Sequence, residues 1–236
     1  MSESNVVLEN DDGEVLFLQS APTSMQSISY EVPVIESNYI LPELCGTKTL
    51  VLVPGNERKR ELAHNWARAT LGISDDQLVV QRVTGEKVKS DIEQPYNKQG
   101  LECGVKRVCG TLAWLFENEA VLESGIGRVL VVAIENFIDD IHQAIAVDYG
   151  LLMVYDVQTG VCELVVSQGV GVQVNFLREA CKEGFVNDDL NCGKVTYGSV
   201  LATHFDCVDG ADWHRVVCGR SRFEILAEAL KCVSCF

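Results

Sequence analysis

One stretch constrains this chain more than any other: Val129-Leu130-Val131-Val132-Ala133-Ile134, an unbroken apolar run that closes on Glu135. A run this short and continuous, rich in β-branched residues, predicts a strand buried on both faces. It also delivers a carboxylate to the edge of a sheet. In open α/β sheets, ligands bind at the carboxyl ends of the strands. An acid there either holds a divalent metal on a phosphate or is a solvated residue at a strand end, and the segment by itself leaves both readings open.

The flanking pattern supplies the rest of the layer. Thr49–Val53 reads as a short buried strand, and Pro54-Gly55-Asn56 as a turn. Glu57–Leu71 reads as an amphipathic helix with Leu62, Trp66 and Ala69 on one face and Gly72 as its stop. Leu78–Val83 is a second strand. After a polar loop, helical spacing of Leu101, Val105, Val108, Leu112 and Leu115 predicts a helix over 101–117. The central strand is expected over Arg128–Ile134. Ala144–Tyr155 and Val161–Ser167, joined by the turn residues 156–160, predict an antiparallel hairpin. Val172–Lys182 reads as a helix, and Lys194–Thr203 is ambiguous between strand and helix. A last helix is expected from Ser221, with Glu224 completing a capping box and Phe223, Leu226 and Leu230 buried. This order predicts an α/β protein with a mixed sheet. Residues 1–45, with three prolines and a single expected strand at Val15–Leu18, read as a partly ordered arm before a domain over 46–236.

Composition narrows the function. A net charge of −15 repels phosphate backbones and argues against general nucleic-acid binding, though a local cluster of Lys and Arg can still hold a small nucleotide. No apolar run reaches the roughly 18 residues of a membrane span, and the acidic, polar start of the chain does not resemble a secretory signal. Ten cysteines in such a chain read as reduced, buried thiols of a cytoplasmic protein. Cys232 and Cys235 form a C-x-x-C pair, but no second pair with zinc spacing accompanies it.

Val53-Pro54-Gly55-Asn56-Glu57-Arg58-Lys59-Arg60 runs from a strand through a glycine turn into a basic first helical turn. Free N–H groups there bind anions, and Arg58, Lys59 or Arg60 would add charge; a solvated first turn is the plainer reading. His142, His204 and His214 stand apart in sequence. Asp139-Asp140 reads as a solvated turn, and Trp213 as packed on the last helix rather than as a platform with Arg220 and Arg222.

Gly55–Lys59, Gln94-Pro95 with Gly104, and Val132–Glu135 occur in the order of the motifs of the non-canonical purine NTP phosphatases, the inosine/xanthosine triphosphatase family. Those enzymes carry T-N-P-x-K after a strand, a Q-P loop leading into a helix, and a G-x-E strand end. The chain resembles them. The resemblance implies that Asn56, Lys59 and neighbouring Arg58 contact phosphates and that Glu135 is a catalytic or metal-binding acid. Thr196 and Gly198 look like the family's later T-x-G. It further implies an inosine-triphosphatase-like fold: a central mixed sheet flanked by helices, with a cleft between two lobes.

Ala133–Ile138, Gly150–Val154, Val195–Gly198, Asp212-Trp213-His214 and Gly219–Arg222 more closely resemble the C-terminal domain of the proline-rich and coiled-coil-containing protein family, which shares that fold. The likeness spans roughly 48–231 and omits the family's name-giving half. It implies a non-catalytic regulatory or scaffold protein, cytoplasmic and Golgi-associated, that binds protein kinase A regulatory subunits and forms a homodimer. The alternative is a Mg²⁺-dependent phosphatase of ITP and XTP, with a purine nucleotide in the cleft and Glu135 and Glu102 on the metal. Departures bear on that choice. The enzymes' acid after Q-P falls on Gly100, which leaves Glu102 as the nearby substitute. Gly55 and Glu57 replace the Thr and Pro of T-N-P-x-K, and Asn136 stands where the enzymes have glycine.

Overall fold

The apolar run folds as the middle of the molecule. The computed structural model describes residues 7–17, 43–122, 125–139 and 146–233. In chain order the elements are β1 (Val7–Glu9), β2 (Val15–Phe17), β3 (Lys48–Pro54), α1 (Glu57–Leu71), β4 (Leu78–Val83), β5 (Gln94–Pro95), α2 (Gln99–Glu117), β6 (Ile126–Asp139), β7 (Ala146–Asp156), β8 (Cys162–Val166), β9 (Val170–Val172), α3 (Val174–Lys182), β10 (Cys192–Gly193), α4 (Tyr197–His204), α5 (His214–Cys218) and α6 (Arg222–Leu230). The main sheet runs β4-β3-β6-β7-β8, with β9 also on β7. Strands β4, β3 and β6 are parallel, whereas β7 is antiparallel to β6, β8 and β9, so the sheet is mixed.

Successive residues of a strand face opposite sides, and the two faces of β6 build different cores. Val129, Val131, Ala133 and Phe137 pack with Val108, Leu112 and Leu115 of α2. Leu130, Val132 and Ile134 pack with Leu62, Ala63 and Trp66 of α1 and Leu226 and Leu230 of α6. A third core gathers Ile138, Val172, Phe176, Tyr197, Leu201, Phe205 and Trp213, and it includes Leu16.

Several expectations change at their edges. β6 does not stop at Ile134 but runs on to Asp139, because β7 pairs with it from Leu130 through Asp139. Glu135 is therefore an interior strand residue, not a strand end. The buried face of α1 is Leu62, Ala63, Trp66 and Ala67, and Ala69 is exposed. The ambiguous stretch 194–203 is helical only from Tyr197, as α4; residues 194–196 are bends and coil, and the N-cap Thr196 accepts a hydrogen bond from Ser199 N at 3.0 Å. Val172 closes β9, and the helix expected from it starts at Val174. Near the chain start there is a hairpin, β1 with β2, rather than a single strand. Its turn carries Asp11, Asp12 and Gly13, the last at φ 76°, a left-handed conformation suited to glycine. The capping box at Ser221 forms as expected. Residue 18, most of the remaining N-terminal arm, Asp140, His142 and Cys235 lie outside the described residues.

Candidate functional site

The site forms where β3 ends and β6 continues. The last β3–β6 pair is Leu52 with Val131, so Ile134 and Glu135 lie beyond the carboxyl end of the neighbouring parallel strand. Helix α1 starts there. Asn56 caps it, accepting from Lys59 N at 3.0 Å. One helical turn in, the Lys59 side chain drops under the turn, and its Nζ donates to the carbonyl oxygen of Ile134 at 2.5 Å. Gly55 permits this path, since a Cβ on it would lie 2.9 Å from the Lys59 side chain and its φ is 135°.

Lys59 and Glu135 are both buried. Glu135 shares the α2 face of β6 and forms an ion pair with Arg107 Nε. Arg107 also donates from Nη1 to Val88 O at 3.1 Å, which holds the guanidinium in place. Burial pushes the Glu135 carboxyl up, but Lys59, Arg107 and Arg222 outweigh it and hold it below the ordinary carboxylate range. Burial lowers Lys59 from 10.5 to about 8, with Glu135 opposing and Arg107 and Arg222 reinforcing the shift.

Asn136 points to the opposite face. Its Oδ1 accepts from Arg222 Nη2 and its Nδ2 donates to Asp148 Oδ2 at 3.1 Å. The same Asp148 oxygen lies 2.8 Å from His214 Nε2. Asp212 fixes the start of α6 by accepting from Ser221 Oγ at 2.8 Å and Arg222 N at 2.6 Å. The space among Asn136, Asp148, Ser167, His214 and Arg222 is about 10 Å³, room for one water molecule at most and far too small for a nucleotide. His214 Nδ1 and Arg222 Nε are buried there without a protein partner.

The other expected residues lie apart. Glu102 is exposed, with an oxygen 3.8 Å from Lys98 Nζ. Arg58 sits over the Phe223 ring at 5.2 Å with Asp209 4.0 Å away, so its charge ties α1 to α6 at the surface. Arg60 pairs with Glu57 at 2.5 Å. Gly198 is pressed against the backbone: a Cβ there would meet Gly210 O at 2.0 Å. Gly198 therefore sets α4 close against the loop before α5, while Thr196 caps the helix. Gln94 of β5 ties to the start of α4 by accepting from Tyr197 N at 3.3 Å. The structure thus brings Lys59 and Glu135 together and does not bring Glu102 or Arg58 to them.

A Mg²⁺ ion asks for several oxygen donors in near-octahedral array. Glu135 is already engaged by Arg107 and faces two further cations, and Glu102 turns to Lys98. Among the described residues no three His, Cys, Asp or Glu side chains are placed to hold a metal ion. The donor set does not fit the ion. At the position where the enzymes carry their acid, a Cβ on Gly100 would lie 2.4 Å from the Phe137 ring, so that ring fills the space.

Arg107 and Asp148, which belong to none of the sequence motifs, are the charged partners of Glu135 and Asn136. A signal existed for Arg107: it shares a helical face with Gly100, Gly104 and Val108, a charge on an otherwise buried stripe.

No family model matches the chain, and no curated protein matches it. Among solved structures the chain is similar to protein VC0702 from Vibrio cholerae, at 12% identity and a TM-score of 0.51, over 78% of this chain and 91% of that one. The likeness is one of fold, an α/β architecture with a central mixed sheet flanked by helices. Among the described residues no helix is long and apolar enough to cross a membrane.

Proposed function

We propose that the domain is inosine-triphosphatase-like, two lobes around a cleft, and acts as a non-catalytic regulatory or scaffold module. The observation that carries this reading is the Arg107–Glu135 ion pair. The acid at the expected catalytic position is neutralised by Arg107 of α2 and by the nearby charge of Lys59, while Glu102, the substitute acid the sequence offers, faces solvent. Phosphoryl transfer needs positive charge delivered to the reacting phosphate by a metal or its equivalent. Here the cations are spent on Glu135, Ile134 O and Asn136. The resemblance to the proline-rich and coiled-coil-containing proteins supports a cytoplasmic, Golgi-associated role, homodimer formation and binding to protein kinase A regulatory subunits.

Hydrolysis of ITP, XTP and dITP with Mg²⁺ tests this directly. Turnover at the no-protein rate is expected. Robust turnover abolished by Glu135→Gln would overturn the reading. The alternative, a Mg²⁺-dependent purine NTP phosphatase, draws on one observation: Lys59 and Glu135 do converge, as a phosphate-handling pair would. Titration with a protein kinase A regulatory subunit separately tests the partner, and absence of binding at micromolar concentrations removes it.

A further inference from the structure

His204, at the end of α4, touches carboxylates with both ring nitrogens. Nδ1 meets Glu14 of the β1–β2 hairpin, and Nε2 meets Glu179 of α3 at 2.9 Å and 3.0 Å to its two oxygens. A neutral imidazole has one N–H, so it would turn a lone pair toward one of these carboxylates. Only the imidazolium satisfies both. The hairpin is tied at the same point through Asn10, whose Nδ2 donates to His204 O at 3.3 Å and to Glu14 at 3.1 Å. Leu16 of β2 is fully buried in the core that contains Phe176, Val200 and Phe205.

We propose that the N-terminal hairpin is a strap whose docking on the α3–α4 face is controlled by the protonation of His204. Glu14 and Glu179 are the charged groups in contact with the ring. Glu9, Asp11, Asp12 and Asp206, with Cys207, line an adjoining groove of about 410 Å³ and add negative charge beside it. The two carboxylates raise the imidazole's affinity for its proton, the Glu179 hydrogen bond most. The sign follows: docking is fully supported below the pKa of a free imidazole, near 6.5, and is lost as pH rises through the raised value of the docked state. Release would uncover the apolar seat of Leu16.

Hydrogen exchange of residues 7–17 in the full chain, read at pH 6 and pH 8.5 and corrected for intrinsic rates, tests the strap. Protection is expected to drop about tenfold for each unit by which docking raises the histidine pKa, while β6 amides stay protected. Glu14→Gln and His204→Gln should both show low protection that no longer changes with pH. Nuclear magnetic resonance should place the His204 pKa above 6.5 in the wild type and nearer 6.5 in Glu14→Gln. Unchanged protection across this range, wild-type behaviour of both variants, or parallel loss of β6 protection would each overturn the proposal.

Discussion

Lys59 Nζ lies 2.5 Å from the carbonyl oxygen of Ile134, and this contact sets a buried ammonium beside the Glu135 carboxylate. Two segments 75 residues apart in sequence thereby share one electrostatic unit, completed by Arg107 and Arg222.

Lys59 makes stability depend on alkaline pH. Its folded value is about 8 and its ordinary value 10.5. Below 8 both folded and unfolded chains hold the proton and the cost of burying the charge is fully present. Between 8 and 10.5 only the unfolded chain holds it, so this term raises stability with pH, by roughly 3 kcal/mol in all. Lys59→Met should lack that contribution. Urea midpoints of both proteins from pH 8 to 10 check it, with the thiol and phenol titrations common to the two cancelling in the difference.

Arg107 and Glu135 should be strongly coupled. Either Arg107→Met or Glu135→Gln leaves buried charge without its partner and should cost about 3–5 kcal/mol. The double variant should cost less than the sum of the two. Chemical denaturation of the four proteins gives the coupling energy directly.

Restoring the enzymes' acid should fail on steric grounds. Gly100→Glu drives a side chain into Phe137 and should destabilise by about 1–3 kcal/mol through overpacking. Combining it with Phe137→Ala should recover part of that loss. Neither protein is expected to hydrolyse ITP with Mg²⁺, because the Arg107–Glu135 pair persists; thermal melts and the phosphate-release assay check both statements.

Asp148 satisfies two buried donors, Asn136 Nδ2 and His214 Nε2. Asp148→Ala orphans both and should cost roughly 2–4 kcal/mol. Asp148→Asn keeps an accepting oxygen and should cost less. Denaturation of the two variants ranks them, and equal losses would show that charge, not hydrogen bonding, dominates this site.

Much of the layer structure was legible because it rests on short-range signals. The apolar run marks β6, Asn56 and Gly72 bracket α1, and Ser221 with Glu224 opens α6. The site was legible only in part. Lys59 and Glu135 stood out as a basic turn and a sheet-end acid. Glu102 stood out by proximity in sequence, yet a position two residues past Gly100 on α2 turns to the opposite side of the helix.

What the sequence by itself determined is the alternation of strand and helix and the residues that bound them, since periodicity, caps and turns act over a few residues. What only the tertiary structure decided is where the charges go. Arg107 reaches Glu135, Arg222 reaches Asn136, and His204 joins Glu14 to Glu179 across gaps of 28, 86, 190 and 25 residues. A buried charge is tolerated only with a partner, and partner choice depends on which faces the packed layers bring within a few ångströms.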